Sequence, residues 1–188
     1  MNNLKKRRLE QIRAVVKWLL TFLTASAAYI LLTAVPVSFP LPLLFLPMTV
    51  AVASKEEPFN AGLWGCICGL MTDSAFGKLF GFNAIIFTFA AVLISLLFQY
   101  ILRQNILNIA MLNFVLIPLQ ASLDFLFFYG IWGRGDAGNI WVHIYMPQML
   151  LTFLLSVPVY LLTAAIFKRF GPIEENYIEE KSDDIVRE

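Results

Sequence analysis

Two aspartates stand within long apolar stretches of this chain, Asp73 and Asp124. An aspartate at membrane depth costs about 2.5–3.5 kcal/mol on insertion scales, so such a residue is rarely without a task. Asp73 could be a proton or ion site, a ligand anchor, or a structural acceptor that caps the next helix or turn. The residues around it are typical of a helix end and a turn. We favour the structural role, in which Lys78 could pair with Asp73 across the turn.

The second aspartate completes a polar stripe on one predicted helix. Asn113 and Gln120 are a heptad apart, and Gln120 and Asp124 are in i, i+4 positions, so the three side chains share a face. Such a face should point to the interior of a helix bundle or to a cavity. A substrate pocket and a hydrogen-bonded core network explain the stripe equally well.

Glycines are concentrated in one segment, residues 60–83, with the sequence NAGLWGCICGLMTDSAFGKLFGFN. It contains five of the ten glycines: Gly62, Gly65, Gly69, Gly77 and Gly81. Glycine at helical spacing lets two backbones touch, and close packing of this kind holds helices together in lipid. The five glycines are therefore predicted to form a helix-packing or partner-contacting face. We favour packing within the chain, because a bundle has more internal than external helix contacts.

The sequence contains almost no feature typical of an enzyme. It has no Walker loop, zinc-ligand spacing, nucleophile elbow or pair of catalytic acids. Cys66 and Cys68 are two residues apart on one predicted helix and point to well-separated faces, so they are expected to be small packing residues. His143 is expected to lie near a membrane interface. We predict no catalytic residue, no metal site and no cofactor.

Composition indicates a membrane protein. The chain is 59% hydrophobic and 14% charged, with a mean hydropathy of +0.73. Soluble domains carry about 25% charged residues. Continuous apolar runs favour transmembrane helices over an outer-membrane barrel, whose strands alternate apolar and polar residues. The net charge of +1 gives no electrostatic case for binding nucleic acid.

The sequence predicts an all-α polytopic fold in which about six transmembrane helices position these residues. The first span is residues 14–35, and the second is a proline-broken stretch with an irregular start and a short helix to about Ser54. The third is residues 59–73, which is short unless Ser74–Phe76 extends it. The others are residues 82–102, 106–129 and 141–167. A turn over Ala75–Gly81 joins the third and fourth spans. The predicted domains are a basic cytoplasmic N-terminus (1–13), a six-helix transmembrane domain (14–169) and an acidic cytoplasmic tail (170–188).

Basic residues predict the orientation, because cytoplasmic loops carry an excess of Lys and Arg. With both termini cytoplasmic, only Lys78 and Arg134 of the fourteen basic residues fall outside. Asp73 and Lys78 are then near the outer face. Trp132 and Trp141 are placed as interfacial anchors of a loop over residues 130–139.

The glycine-rich segment resembles the signature of the rod shape-determining MreD family. The matching residues are Gly65-x-x-x-Gly69-Leu70-x-x-Asp73, followed by Gly77-x-x-x-Gly81-Phe82-Asn83-Ala84. The basic N-terminus and the proline-rich second span are also similar. Cys66, Cys68 and the long acidic tail are outside the family pattern.

The resemblance implies a multi-pass protein of the bacterial cytoplasmic (inner) membrane and of the elongasome. Its expected partners are the lipid bilayer, an MreC-like periplasmic scaffold, an MreB-like filament and peptidoglycan synthases. Its expected role is that of a structural scaffold or adaptor in cell shape and peptidoglycan synthesis, with no reaction of its own.

Two other classes stay open. Substrate-binding components of energy-coupling-factor vitamin transporters are also small six-helix membrane proteins, and the MreD family is thought to share their fold. In such a protein Asp73, Lys78, Asp124, Trp132 and Asn139 would be pocket candidates. A channel or ion-coupled transporter would use Asp73 and Asp124 as carriers, but no internal repeat supports it.

Overall fold

The structure, a computed structural model, describes residues 2–34, 41–131 and 137–170, with side chains from Arg8 onward except that of residue 137. Every regular element in these ranges is helical. The helices are α1 Asn2–Ala34, α2 Phe45–Ala53, α3 Pro58–Phe76, α4 Phe82–Tyr100, α5 Ile106–Phe125, α6 Ala137–Ile140 and α7 Met146–Phe170. A π-helical turn, Leu126–Gly130, extends α5, and another, Trp141–Tyr145, joins α6 to α7. The all-α class is confirmed.

Four helical stretches are long and apolar enough to cross a membrane: Arg8–Ala34, Phe82–Tyr100, Ile106–Gly130 and Gly138–Phe170. They correspond to the first, fourth, fifth and sixth predicted spans. The 19 residues of α3 give a length of about 28 Å, close to the thickness of the hydrocarbon core, although its glycines and polar residues lower its hydropathy. The 9 residues of α2 reach only about half as far, so α2 alone does not cross.

The short helix α2 is the centre of the bundle. All its residues are buried, and it packs against α3, α4, α5 and α7. The irregular start predicted from the prolines is confirmed for residues 41–44, which precede the helix. The backbone N–H of Leu43 donates to Thr152 Oγ1 on α7 at 2.8 Å. Non-helical backbone is tolerated at membrane depth where protein satisfies it, and here α7 does so.

Local chemistry sets both ends of α3. Pro58 occupies the first turn, where its missing N–H costs nothing. Gly77 ends the helix in the left-handed region, with φ +60°. The Lys78 N–H donates to the Asp73 carbonyl at 3.0 Å and the Gly77 N–H to the Ser74 carbonyl at 3.4 Å, which is the Schellman arrangement. The predicted turn therefore begins at Gly77 and not at Ala75, because this motif allows the helix to continue to Phe76.

The N-terminal helix α1 is the least buried of the four candidate spans. It begins at Asn2, so residues 2–13 of the predicted basic N-terminus form one helix with the first span. Part of the predicted loop over residues 130–139, including Trp132, lies outside the described residues. From Ala137 onward the chain is helical, because α6 begins there. The predicted acidic tail lies outside the described residues beyond Phe170.

Candidate functional site

The glycines of α3 face α4, and a side chain there would collide with it. A Cβ atom added to Gly69 would lie 2.3 Å from the Ala84 Cα, and one added to Gly65 would lie 2.5 Å from the Phe87 carbonyl oxygen. At Gly62 the nearest atom is a methyl group of Val92, at 2.9 Å. These three glycines therefore pack α3 against α4 within the chain.

Gly77 and Gly81 do not belong to this packing face, although the sequence grouped them with it. A Cβ added to either would meet nothing within 4 Å. Their φ angles of +60° and +100° lie in the left-handed region, which L side chains rarely adopt. Their task is to turn the backbone between α3 and α4. Spacing alone did not distinguish the two uses of glycine.

The Asp73 side chain caps the N-terminus of the next helix. One carboxylate oxygen accepts the Gly81 N–H at 2.8 Å, and both oxygens accept the Asn83 N–H, at 3.1 and 3.2 Å. The Asn83 Nδ2 donates to Oδ1 at 2.8 Å. The first N–H groups of a helix have no partner within it, and a negative charge there is favourable. Asp73, only 1% exposed, supplies the hydrogen-bond acceptors for these N–H groups and the negative charge.

Asn83 connects this cap to α5. Its Oδ1 accepts a hydrogen bond from Gln120 Nε2. Asn83 is fully buried and Gln120 is 3% exposed, so the connection crosses the bundle interior. From the sequence, Asn83 had no predicted role beyond its place in the Gly-Phe-Asn-Ala motif. Its position as the second residue of α4 was the signal that it could meet a capping carboxylate.

Lys78 pairs with Asp124 and not with Asp73. The Nζ atom lies 2.5 Å from Asp124 Oδ2, and the Tyr145 hydroxyl donates to the same oxygen at 2.7 Å. The expectation of a Lys78–Asp73 pair was wrong because backbone and amide N–H groups already surround the Asp73 carboxylate. Tyr145 had been missed, since nothing in the sequence relates it to Asp124.

Two π-helical turns lie next to the contact between Asp124 and Tyr145. One begins at Leu126, and the other ends at Tyr145. A π turn inserts a residue and rotates the side chains that follow, and such turns are frequent at functional sites. The ring of Phe125 packs edge-on against Trp141 and Tyr145, with centroid separations of 4.9 and 5.6 Å. This packing fixes the ring whose hydroxyl reaches Asp124.

The predicted polar stripe divides into two parts. Gln120 and Asp124 belong to the buried network, whereas Asn113, 1% exposed, has a side-chain oxygen without a partner among the described residues. Gln120 Oε1 and Asp124 Oδ1 also lack partners there. Both residues line a cavity in which the volume open to a water-sized sphere is about 10 Å³.

The chemistry of this polar cluster is that of a helix junction. It joins the α3–α4 turn to α5 and to the π-helical turn before α7 through one ion pair and a chain of hydrogen bonds. Among the described residues no three His, Cys, Asp or Glu side chains form a group that could hold a metal ion. Of the other vitamin-pocket candidates, Asn139 is exposed.

A second set of polar contacts lies at the opposite end of the bundle. Lys17 pairs with Glu56, whose backbone carbonyl accepts the Ser95 hydroxyl at 2.6 Å. Arg13 donates to the carbonyl of Arg169 at 3.0 Å, near the end of α7. The Lys17 Nζ also lies 4.9 Å from the centroid of the Phe167 ring. These contacts tie α1 to the start of α3 and to α7.

Comparison with known proteins assigns the sequence to a family. Residues 10–170 match the family model described as rod shape-determining protein MreD. Searches of curated proteins and of solved structures found no match.

Proposed function

The chain belongs to the MreD family of rod shape-determining membrane proteins, and we propose that it acts as an adaptor without a reaction of its own. Its partners in this proposal are an MreC-like periplasmic scaffold and, directly or through it, an MreB-like filament and the peptidoglycan synthases. The observation that carries the proposal is the use of its intramembrane charges. Asp73 caps a helix and Asp124 forms an ion pair, so both hold helices together.

A vitamin transporter component fits the geometry less well. Pockets for small molecules measure roughly 300–1,000 Å³ and contain a few convergent polar groups. The cavity beside Asp124 offers about 10 Å³. A larger groove of about 430 Å³ lies along α5 and Phe153, but its lining is apolar apart from Asn108. Polar groups and sufficient volume therefore do not coincide in either of these cavities.

An ion-coupled transporter would need its carboxylates to exchange a cation or proton. The Asp73 carboxylate accepts hydrogen bonds from Gly81 and from Asn83, and the Asp124 carboxylate is neutralised by Lys78. Releasing either group would break a contact between helices. This observation favours the adaptor over the carrier.

We propose that the protein lies in the cytoplasmic membrane with both termini in the cytoplasm. The contacts support this orientation, because Arg13, Lys17 and Arg169 are gathered at one end of the bundle and Asp73 lies at the other. Lys55, next to Gln104, belongs to the same basic end. An excess of basic residues marks the cytoplasmic side of membrane proteins.

Affinity purification tests the adaptor proposal. The tagged full-length protein is extracted gently from membranes of a bacterium that lacks its own MreD, and the proteins that copurify are identified. We expect an MreC-like protein, and we expect the tagged protein to restore rod shape. An unrelated six-helix membrane protein with the same tag is the control. Recovery of an ATPase module of a vitamin transporter, without an MreC-like protein, would overturn the proposal.

A further inference from the structure

Two buried oxygen atoms without a hydrogen-bond partner among the described residues belong to side chains that line one small cavity. They are Gln120 Oε1 and Asp124 Oδ1. Their residues are 3% and 2% exposed, and both line the same cavity between α5 and α7. The i, i+4 spacing places them one above the other on α5. Buried acceptors of this kind are rare in folded proteins and call for an explanation.

The cavity has the size of a single water molecule. Its volume for a water-sized sphere is about 10 Å³, and a buried water needs roughly 10–15 Å³ by this measure together with 2–4 polar partners. The remaining wall contains the polar residues Tyr145, Gln148 and Thr152 and four apolar residues, Leu43, Ile117, Ala121 and Met149. Both requirements, space and polar partners, are therefore met at this position.

We propose that this cavity binds one water molecule, which donates one hydrogen bond to Gln120 Oε1 and one to Asp124 Oδ1. Both oxygens are acceptors, so a neutral ligand that satisfies both must carry two hydrogens, and water does. A metal cation is the poorer fit, because Lys78 already neutralises Asp124 and hard cations take about six or more oxygen ligands. The water completes the junction of α5 with α4 and α7, independently of the proposed adaptor role.

Water-edited solid-state NMR of the full-length protein in lipid bilayers tests this site. Magnetisation transfer from water is expected at the side-chain carbonyl carbons of Gln120 and Asp124. Asn113 is the internal control, because its Oδ1 is equally buried and without a partner but does not line the cavity. Absence of transfer at Gln120 and Asp124, or equal transfer at Asn113, would overturn the proposal.

A cavity-filling variant separates a bound water from proton exchange. Lys78 and Tyr145 carry exchangeable protons next to Asp124 and could relay magnetisation to it. Ala121→Val adds two methyl groups at the cavity wall and should abolish transfer at Gln120 and Asp124. Ala110→Val, on the same helix but lining the open apolar groove, should leave transfer unchanged. Transfer that persists in folded Ala121→Val protein would contradict a water at this site.

Cation binding gives a different result in the same sample. Replacing Na⁺ by K⁺ or choline in the buffer should leave the Asp124 carboxyl resonance unshifted if the ligand is water. A shift at Asp124 and Gln120, with Asn113 unchanged, would identify a sodium site and overturn the proposal. If Ala121→Val does not fold, the cation replacement on the wild-type protein still decides between water and sodium, and the comparison with Asn113 still tests whether transfer is specific to the cavity.

Discussion

In the α3–α4 hairpin two backbones touch, whereas α1 lies along the bundle with most of its apolar side chains facing outward. Gly65 and Gly69 leave no room for a Cβ atom against α4. By contrast, Leu19 and Leu23 of α1 are about 60% exposed, at 62% and 59%. Lipid is as apolar as leucine, so burying such side chains adds little within a membrane. The α3–α4 contact is therefore the tight one, whereas the outward face of α1 is exposed to lipid or to another protein.

The polar contacts follow the same division. The hairpin contains a buried cap, Asp73 on Gly81 and Asn83, in its own turn. The polar contacts of α1 are dispersed along its length. Lys17 pairs with Glu56, and about three turns later the Tyr29 hydroxyl lies 3.2 Å from Ser74 Oγ. Substitutions in the hairpin should therefore lower the free energy of unfolding more than those in α1, and four substitutions test this order.

The largest effect is expected from Gly69→Ala. The added Cβ would lie 2.3 Å from the Ala84 Cα, so the two backbones must separate, and the free energy of unfolding should fall by about 3 kcal/mol, at the upper end of the usual range for overpacking. Thermal unfolding of the purified protein in detergent measures the change. Gly138→Ala is the matched control, because its Cβ would meet nothing within 4 Å. Equal stability of the two variants would show that α3 and α4 do not touch as described.

Asp73→Asn should have the next largest effect. An amide cannot present two acceptor oxygens to Gly81 and Asn83, and loss of charge-assisted hydrogen bonds costs about 2–3 kcal/mol. The same unfolding assay measures this change.

Cell shape separates a structural Asp73 from a functional one. At normal membrane levels, Asp73→Asn should still restore rod shape in cells that lack their own MreD. Complete loss of rescue at normal levels would show that the carboxylate does more than cap a helix.

Lys17→Met should have a smaller effect, confined to α1. It removes the ion pair with Glu56 but keeps an aliphatic side chain beside Phe167. We expect a loss of about 1–2 kcal/mol, between the values for exposed and buried pairs. Hydrogen exchange should become faster in α1 and stay unchanged in α3 and α4. Faster exchange throughout the hairpin would mean that α1 is part of the same cooperative unit.

The smallest effect is expected from Leu23→Ala. Its side chain is 59% exposed on α1, so the free energy of unfolding should change by no more than about 0.5 kcal/mol. Trp64→Ala, at a residue that is 3% exposed in the core, is the contrasting variant and should destabilise strongly. Loss of MreC-like protein from purifications of stable Leu23→Ala protein would show that this face of α1 meets a partner.

Much of the fold was predictable because its signals are local. Runs of apolar residues gave the positions of the long helices, and the prolines before α2 predicted its irregular start and its short length. Less could be predicted about the polar residues. Lys78 was expected to pair with the nearby Asp73, but its partner is 46 residues away on α5. The central place of α2 was not predicted either, because burial depends on the other helices.

The sequence by itself determined that this is an all-α membrane protein and, through the Gly-Leu-x-x-Asp segment and the motif after it, which family it belongs to. These properties depend on hydrophobicity and on residue order within about 25 residues. The tertiary structure decided which glycines pack and which turn the backbone, and which partner each buried polar group takes. The reason is physical: hydrogen bonds at membrane depth are fixed by side chains that converge from α3, α4, α5 and α7.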